Sequence, residues 1–115
     1  MYSRILYVAG PYRAPTPEGV DANIARARAA AEHLWAIGYA VICPHLNSAH
    51  MGGDPSIYMA GDLTIIERLD PVKDGLYLLE GWSYSEGSVR EYYAAKDKGL
   101  TIYKQGTNEP EVLIA

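Results

Sequence analysis

Short, continuous apolar runs alternate along the chain with longer segments of helical periodicity. Four runs rich in β-forming residues predict buried strands, namely 4–9 (RILYVA), 39–43 (YAVIC), 75–79 (GLYLL) and 100–103 (LTIY). Apolar residues at helical spacing predict helices over 16–37, 56–69 and 88–98, and the polar segment HLNSAHMGGDPS predicts a long loop. The tail, QGTNEPEVLIA, is ambiguous.

This alternation predicts a small doubly wound α/β domain. Strands that are apolar throughout are typical of a parallel sheet with crossover helices on both faces. We therefore expect a flavodoxin- or Rossmann-like parallel sheet of four to five strands, and a single domain over residues 1–115. Ligands of such sheets bind beyond the carboxyl ends of the strands, which directs attention to residues 10–13, 45–54 and 81–88.

Composition and charge narrow the choice of partners and location. Ten basic and 14 acidic residues give a net charge of -4, and the basic residues form no stripe, so we expect no long nucleic acid as a partner. The single cysteine cannot form an internal disulfide, and the N-terminal MYSRILYVAG lacks the features of a signal peptide. No apolar run has the roughly 18 residues of a membrane span. We expect no membrane association and a cytoplasmic location.

The stretch GWSYSEGSVRE, residues 81–91, supports two interpretations of its final glutamate. In a capping box, the Ser88 hydroxyl accepts from the N–H of Glu91 and the Glu91 carboxylate accepts from the N–H of Ser88. In a catalytic site, a carboxylate in the first turn of a helix is held ionised by the helix dipole, which favours a nucleophile. Gly87 permits close approach of the backbone, and Ser85 and Ser88 are suited to hold a hydroxyl or a phosphate.

Four other residues are candidates for substrate contacts, each with a structural alternative. Asp62 is either a second carboxylate of the site or a solvated helix residue. Tyr12 and Arg13 follow the first strand, where a phenol can orient a substrate and a guanidinium can pair with a phosphate, or both can be exposed loop residues. Trp82 can stack on a base or pack against the core.

Metal binding has weak support in the sequence. Cys43, His45 and His50 are three potential ligands, but the chain has no pair of cysteines at zinc-site spacing, and we expect no bound metal. Asp70 and Asp74 border a predicted turn, where aspartate is ordinary turn chemistry.

Several motifs together resemble those of a known superfamily. They are YVAGPY after the first strand, Pro44 after the second, Asp62-Leu63, Asp74 before the third, and GWSYSEGSVREYYAAKDKG. In order and spacing they resemble the nucleoside 2-deoxyribosyltransferase superfamily over about residues 6–103, and within it the DUF4406 branch, with its strand-end GW and S-x-G-[SA]-x-x-E signature.

The resemblance implies roles for individual residues. Glu91 matches the catalytic glutamate that forms a glycosyl-enzyme intermediate at the anomeric carbon. Asp62 matches an aspartate that assists the leaving base or contacts the sugar. Gly10 and Tyr12 lie in the segment where relatives place a substrate-positioning tyrosine.

Ser85 bears on the choice of substrate. Deoxyribosyltransferases usually carry an aspartate at this position, whereas the related 2'-deoxynucleoside 5'-monophosphate N-hydrolases carry a serine associated with phosphate recognition. Serine in place of aspartate removes a negative charge, so the site accommodates a 5'-phosphate more easily. Residues 70–73 and the GW turn differ from the corresponding segments of those hydrolases. The identity of the substrate is therefore left undetermined.

Three hypotheses follow. The first is cleavage or transfer of an N-glycosidic bond of a nucleoside or nucleotide through Glu91, with Asp62 protonating the base and with no cofactor. The second is a catalytically silent nucleotide-binding module, and the third is a structural protein in which Glu91 only caps its helix. The resemblance also implies a homo-oligomer, for which we expect an apolar contact surface at Ile57, Ile65 and Ile66.

Overall fold

A computed structural model describes residues 4–115 of the chain; residues 1–3, which open the segment considered for a signal peptide and begin the predicted domain, lie outside the described residues. Within this range the strands are β1 (Ile5–Ala9), β2 (Ala40–Ile42), β3 (Gly75–Leu78), β4 (Thr101–Lys104) and β5 (Glu111–Ile114). The α-helices are α1 (Pro17–Ala36), α2 (Pro44–Asn47), α3 (Pro55–Arg68) and α4 (Glu86–Lys98). A 3₁₀ turn covers Trp82–Tyr84.

The strands form one sheet in the order β2-β1-β3-β4-β5. β2, β1, β3 and β4 are parallel, which confirms the predicted doubly wound α/β class. The tail, which was ambiguous in the sequence, forms β5, and β5 is antiparallel to β4, so the sheet is parallel except at this edge. The reason is the short connection over residues 105–110, because a parallel return requires a crossover of a dozen residues or more.

Helices cover both faces of the sheet, and successive residues of β1 point to opposite sides. Leu6 and Val8 pack against α1, whereas Tyr7 and Ala9 face the side of α3 and α4. The core on the α1 side comprises Leu6, Val8, Ala27, Ala30, Ala31, Leu34, Cys43, Tyr77 and Leu79. The core on the other side comprises Tyr7, Ala9, Ile66, Leu69, Leu76, Leu78, Ala95, Leu100 and Ile102.

Polar residues define the start of the first helix and the turn before β3. Thr16 caps α1 by accepting a hydrogen bond from the N–H of Gly19 at 3.1 Å. The Asp74 carboxylate accepts from the backbone N–H groups of Ile5 and Asp70, which joins the turn to β1. Asp70 in turn accepts from the N–H groups of residues 72 and 73. The predicted turn role of both aspartates is confirmed.

Two details of the prediction are wrong. The long loop begins with one helical turn, α2, which buries His45 instead of leaving it in a polar loop. The expected apolar surface does not form as a unit, because Ile66 is fully buried and Ile65 packs against the core, while Ile57 remains 66% exposed. None of the helices in residues 4–115 combines the length and apolar character needed to cross a membrane.

Candidate active site

The order of the strands reverses direction between β1 and β3. These strands are neighbours, and β2 lies beyond β1, so the helices that follow β1 and β2 cover different faces of the sheet. In open α/β sheets this switch in strand order is where ligands bind. The segments after β1, β2 and β3 are the three that the sequence predicted for the site.

The start of α4 differs from the predicted capping box. Ser85 is the N-cap, and its Oγ accepts from the N–H of Ser88 at 3.3 Å and from the Ser88 hydroxyl at 3.1 Å. The helix therefore begins at Glu86, two residues earlier than the predicted start at Ser88. Glu91 lies in the second turn and is only 6% exposed, so it cannot serve as the capping residue.

The Glu91 carboxylate accepts a hydrogen bond from the hydroxyl of Tyr7. Both residues are buried, and Tyr7 reaches α4 because its side chain leaves β1 on that face of the sheet. Burial and the neighbouring carboxylate raise the pKa of the Tyr7 phenol far above its usual range, so Tyr7 remains a proton donor in this bond.

A second carboxylate, that of Asp62, is an electrostatic neighbour of Glu91. Helices α3 and α4 approach closely, since a Cβ on Gly87 would lie 2.9 Å from Cε of Met59. Asp62 follows Met59 by three residues and Glu91 follows Gly87 by four, so each pair shares a helix face. The negative charge of Asp62 correspondingly acts on both Glu91 and Tyr7.

Burial gives both carboxyls raised pKa values. The pKa of Glu91 rises to about 7, chiefly through burial; the Tyr7 hydrogen bond opposes this rise and the charge of Asp62 adds to it. Burial raises the pKa of Asp62 to about 6. Glu91 therefore differs from the expected first-turn carboxylate, because it lies in the second turn of α4 and burial raises its pKa.

The segment after β1 contributes a close backbone contact and an aromatic side chain. A Cβ on Gly10 would lie 2.6–2.9 Å from side-chain atoms of Leu79, so glycine lets the ends of β1 and β3 approach. The Tyr12 ring lies 5.9 Å from the His45 ring, and its hydroxyl accepts from the N–H of His50 at 3.1 Å. Arg13 is exposed.

The remaining candidate residues lie around the start of α4. Trp82 stacks on Tyr92 with ring centroids 4.9 Å apart and packs against the core, which favours the packing interpretation of this tryptophan. Ser88 is buried, whereas Ser85 is half-buried. The structure thus brings together Glu91 with Asp62, Ser85 with Ser88, and Tyr12 with His45.

Sequence reasoning missed Tyr7 and the position of His45. Tyr7 had a signal, since a phenol in an otherwise aliphatic buried strand requires a polar partner. His45 Nε2 donates to the carbonyl of Pro11 at 2.9 Å, which ties α2 to the segment after β1, and burial lowers the His45 pKa. Within residues 4–115, no three histidine, cysteine or acidic side chains lie close enough together to hold a metal ion.

The fold corresponds to a known class of α/β domain. In fold, the chain is similar to the 2-deoxyribosyltransferase of the psychrotolerant bacterium Bacillus psychrosaccharolyticus, with a TM-score of 0.63 and 19% sequence identity over 87% of this chain and 70% of that one. The chain therefore has a fold of the nucleoside 2-deoxyribosyltransferase type.

The family follows from a separate match. Residues 4–104 match the family described as a domain of unknown function (DUF4406), and the chain belongs to that family. No curated protein sequence matches the chain.

Proposed function

We propose that this protein cleaves or transfers the N-glycosidic bond of a nucleoside or nucleoside 5'-monophosphate, with Glu91 as the nucleophile. The observation that carries the proposal is a buried glutamate that accepts a hydrogen bond from the Tyr7 hydroxyl and has a second carboxyl, Asp62, as its electrostatic neighbour. A purely structural glutamate has no need of a second acid beside it. The similarity of fold to a 2-deoxyribosyltransferase supports the same chemistry.

Tyr7 orients the nucleophile in this mechanism. Its hydroxyl holds one carboxylate oxygen of Glu91 and stabilises the ionised form, while the other oxygen attacks C1' of the sugar. The bond from C1' to the base nitrogen breaks as the bond from C1' to the glutamate oxygen forms, through an oxocarbenium-like transition state. The electron pair of the broken bond leaves with the base.

Asp62 acts as the general acid. It donates its proton to the departing base, which leaves neutral. In the second half of the reaction the Asp62 carboxylate takes a proton from water, or from an incoming base, as that group attacks C1' and releases Glu91. Water as the acceptor gives a hydrolase, and a base as the acceptor gives a transferase. Both outcomes preserve the configuration at C1'.

The two carboxyls share the protons required for this chemistry. Attack needs Glu91 ionised and Asp62 protonated, which is one of two forms of the singly protonated pair. Burial raises the pKa of Glu91 to about 7 and that of Asp62 to about 6, so the singly protonated pair is populated near neutral pH. A basic nitrogen of the substrate near Asp62 favours the productive form.

Ser85 supports a phosphate at the 5' position. Its Oγ accepts two hydrogen bonds, from the N–H and the hydroxyl of Ser88, so its own proton remains to be donated to a substrate oxygen. The N-terminus of α4 adds a favourable dipole, and the exposed Glu86 beside it opposes a full phosphate charge. Tyr12 and Arg13 are proposed to contact the same substrate from the segment after β1.

The test is release of free base, measured by chromatography, from a panel of ribo- and deoxyribonucleosides and their 5'-monophosphates, with and without a second base. Glu91→Gln keeps the size of the side chain and an acceptor for Tyr7. Glu86→Gln is the matched control, because Glu86 is an exposed glutamate in the first turn of the same helix. We expect release by the wild type and Glu86→Gln, and loss of at least roughly a thousandfold in Glu91→Gln.

The other outcomes contradict the proposal in distinct ways. Equal activity of wild type and Glu91→Gln removes Glu91 as the nucleophile. No release from any substrate, with a nucleotide-dependent rise in melting temperature, identifies a silent nucleotide-binding module instead. Ser85→Ala tests the phosphate contact, since it should weaken the binding of monophosphates and leave nucleosides unaffected.

A further inference from the structure

A cavity of about 370 Å³ lies on the α1 face of the sheet, on the other side from Glu91. Its volume is at the lower end of the range for small-molecule sites. Apolar atoms of Ala29, Ala30 and Leu79 form part of its wall, and its polar residues include Arg26, Tyr77 and Glu80. Neither Glu91 nor Asp62 contributes to it.

Tyr77 lines this cavity, and its hydroxyl has no hydrogen-bond partner among residues 4–115. Tyr77 is 3% exposed and donates no hydrogen bond to any of residues 4–115. Among these residues, Nδ1 of His45 is the one fully buried side-chain polar atom without a hydrogen-bond partner. The Tyr77 oxygen also has no partner, so it is not fully buried and contributes to the small exposed area of Tyr77. A buried phenol normally has a partner. Here Tyr77 instead lines the cavity.

The guanidinium of Arg26 is held at the edge of the same cavity. It donates a hydrogen bond to Oδ1 of Asn23, whose Nδ2 donates to the carbonyls of Tyr12 at 3.0 Å and Arg13 at 3.3 Å. This single bond leaves the other donors of the guanidinium available. The arginine is therefore oriented by the segment after β1, and a positive charge with free donors is suited to a carboxylate or a phosphate.

The loop between β4 and β5 forms the remaining wall and adds further polar groups. His33 Nε2 donates to the carbonyl of Asn108 at 2.6 Å, which fixes this loop against α1. Gln105 accepts from the N–H of Glu80 through Oε1, so its amide NH₂ remains a donor. The Glu80 carboxylate repels a polyanion and accepts from a hydroxyl or an amine.

We infer that this cavity binds a small organic anion that also carries a hydroxyl or amino donor, at a site separate from Glu91 and Asp62. Arg26 pairs with the acid group, Glu80 accepts from the donor, and Tyr77 donates to a polar atom on the body of the ligand. The inference does not depend on the proposed N-glycosidic chemistry. Its residues lie on the opposite face of the sheet.

The experiment is a titration of ¹⁵N-labelled protein with four probes. NMR measures the chemical shift of each backbone amide during the titration. 4-Aminobenzoate carries a carboxylate and an amine, benzoate lacks the amine, ribose 5-phosphate carries a phosphate and hydroxyls, and inorganic phosphate has no organic body. The probes are taken to about 10 mM, where a millimolar site is largely occupied. We expect shifts centred on Tyr77 and residues 105–107, with 4-aminobenzoate binding more tightly than benzoate.

Variants separate this site from unspecific charge effects. Arg26→Gln should weaken the tightest probe by roughly tenfold or more, because it removes a charged hydrogen-bond donor. Arg28→Gln is the matched control, since Arg28 is an exposed arginine of α1 that pairs with Glu32. Tyr77→Phe should weaken binding by roughly threefold to tenfold and leave the fold intact. Glu91→Gln should have no effect on affinity.

Three results would overturn the inference. They are the absence of shifts at Tyr77 and residues 105–107 with every probe, shifts confined to the surroundings of Glu91, and equal weakening by Arg26→Gln and Arg28→Gln. If ribose 5-phosphate binds and 4-aminobenzoate does not, the acid group recognised is a phosphate. The reverse result identifies a carboxylate.

Discussion

The hydroxyl of Tyr7 donates a hydrogen bond to the carboxylate of Glu91, although 84 residues separate the two along the chain. One residue lies in the second strand of the sheet order, β1, and the other in the second turn of α4. The bond leaves Glu91 with a defined orientation in a buried position. A nucleophile requires such an orientation, because misplacement of the reacting oxygen is costly in rate.

Removing the Tyr7 hydroxyl should destabilise the protein and raise the pKa of Glu91. Tyr7→Phe leaves a buried carboxyl without its donor, at an expected cost of about 1–3 kcal/mol in the free energy of unfolding. Because the hydrogen bond lowers the Glu91 pKa, its loss should move the acid limb of a pH–rate profile upward. Urea denaturation and pH-dependent base release measure the two effects.

Tyr77→Phe is the matched control for stability. Tyr77 is a buried tyrosine of the adjacent strand, without a hydrogen bond to the described residues. Removal of the Tyr77 hydroxyl should change the free energy of unfolding by no more than about 0.5 kcal/mol. If the two variants have equal stability, the Tyr7–Glu91 bond makes no net contribution to folding.

Stability should decrease as pH rises from about 4.5 to about 7. Glu91 has a folded pKa of about 7 against its usual 4.5, so the folded state binds more protons than the unfolded state across this window. Burying the ionised form costs up to about 3 kcal/mol. Glu91→Gln should therefore be more stable than the wild type at pH 8, and the difference should vanish below about pH 4.5, as measured by denaturation at several pH values.

The comparison of variants removes the contribution of His45. Burial lowers the pKa of His45, so this residue causes stability to fall as the pH drops below about 6.5, opposite in sign to Glu91. Since His45 is present in both proteins, its effect cancels in the difference. A difference between wild type and Glu91→Gln that does not change with pH would show that Glu91 titrates alike in both states.

Base release from a nucleoside should have a bell-shaped dependence on pH. Below about pH 6 both carboxyls are protonated and Glu91 cannot attack, and above about pH 7 both are ionised and Asp62 cannot protonate the base. A nucleoside is the better substrate for this measurement, because a phosphate itself titrates near pH 6.

Asp62→Asn tests the assignment of the general acid. The variant cannot donate a proton, so kcat/KM should be lower and should no longer decline above pH 7. An unchanged decline at alkaline pH in this variant would assign that limb to a group other than Asp62.

An alanine at residue 10 should destabilise the protein and impair the site. Its Cβ would lie 2.7 Å from the Cβ of Leu79, an atom next to the backbone that cannot move independently of β3. We expect a loss of about 1–3 kcal/mol and lower activity, because the carboxyl ends of β1 and β3 would separate. Thermal denaturation and base release measure these effects.

Gly61→Ala provides the contrasting control. No atom lies within 4 Å of a Cβ placed on Gly61, which is in the middle of α3. Alanine should therefore stabilise the helix by about 0.5–1 kcal/mol. Destabilisation by both substitutions would indicate that the contact with Leu79 is not the cause at residue 10.

The sequence alone determined most of the secondary structure and the class of fold. Continuous apolar runs such as LYVA in β1 and the helical spacing of α1 depend on local patterns, and their positions agree with the structure to within a few residues. The pattern also placed residues 10–13, 45–54 and 81–88 at strand ends. Their common edge follows from the parallel arrangement of the strands.

The start of α4 shows where local patterns were insufficient. Ser85 and Ser88 are both chemically suited to cap a helix, and the motif favoured Ser88 because a glutamate follows at the right spacing. The structure uses Ser85 as the cap, and Ser88 and Glu91 are both buried within the helix. Their burial depends on tertiary packing.

The environment of Glu91 was determined only by the tertiary structure. The Tyr7 hydrogen bond, the charge of Asp62 and the loss of solvent come from β1, α3 and the sheet, which are distant in sequence. The same holds for the cavity beside Tyr77, whose walls come from α1, β3 and the loop before β5. Residue type and spacing specify which groups are present, whereas protonation and hydrogen bonding depend on how much water and which charges the folded chain places around them.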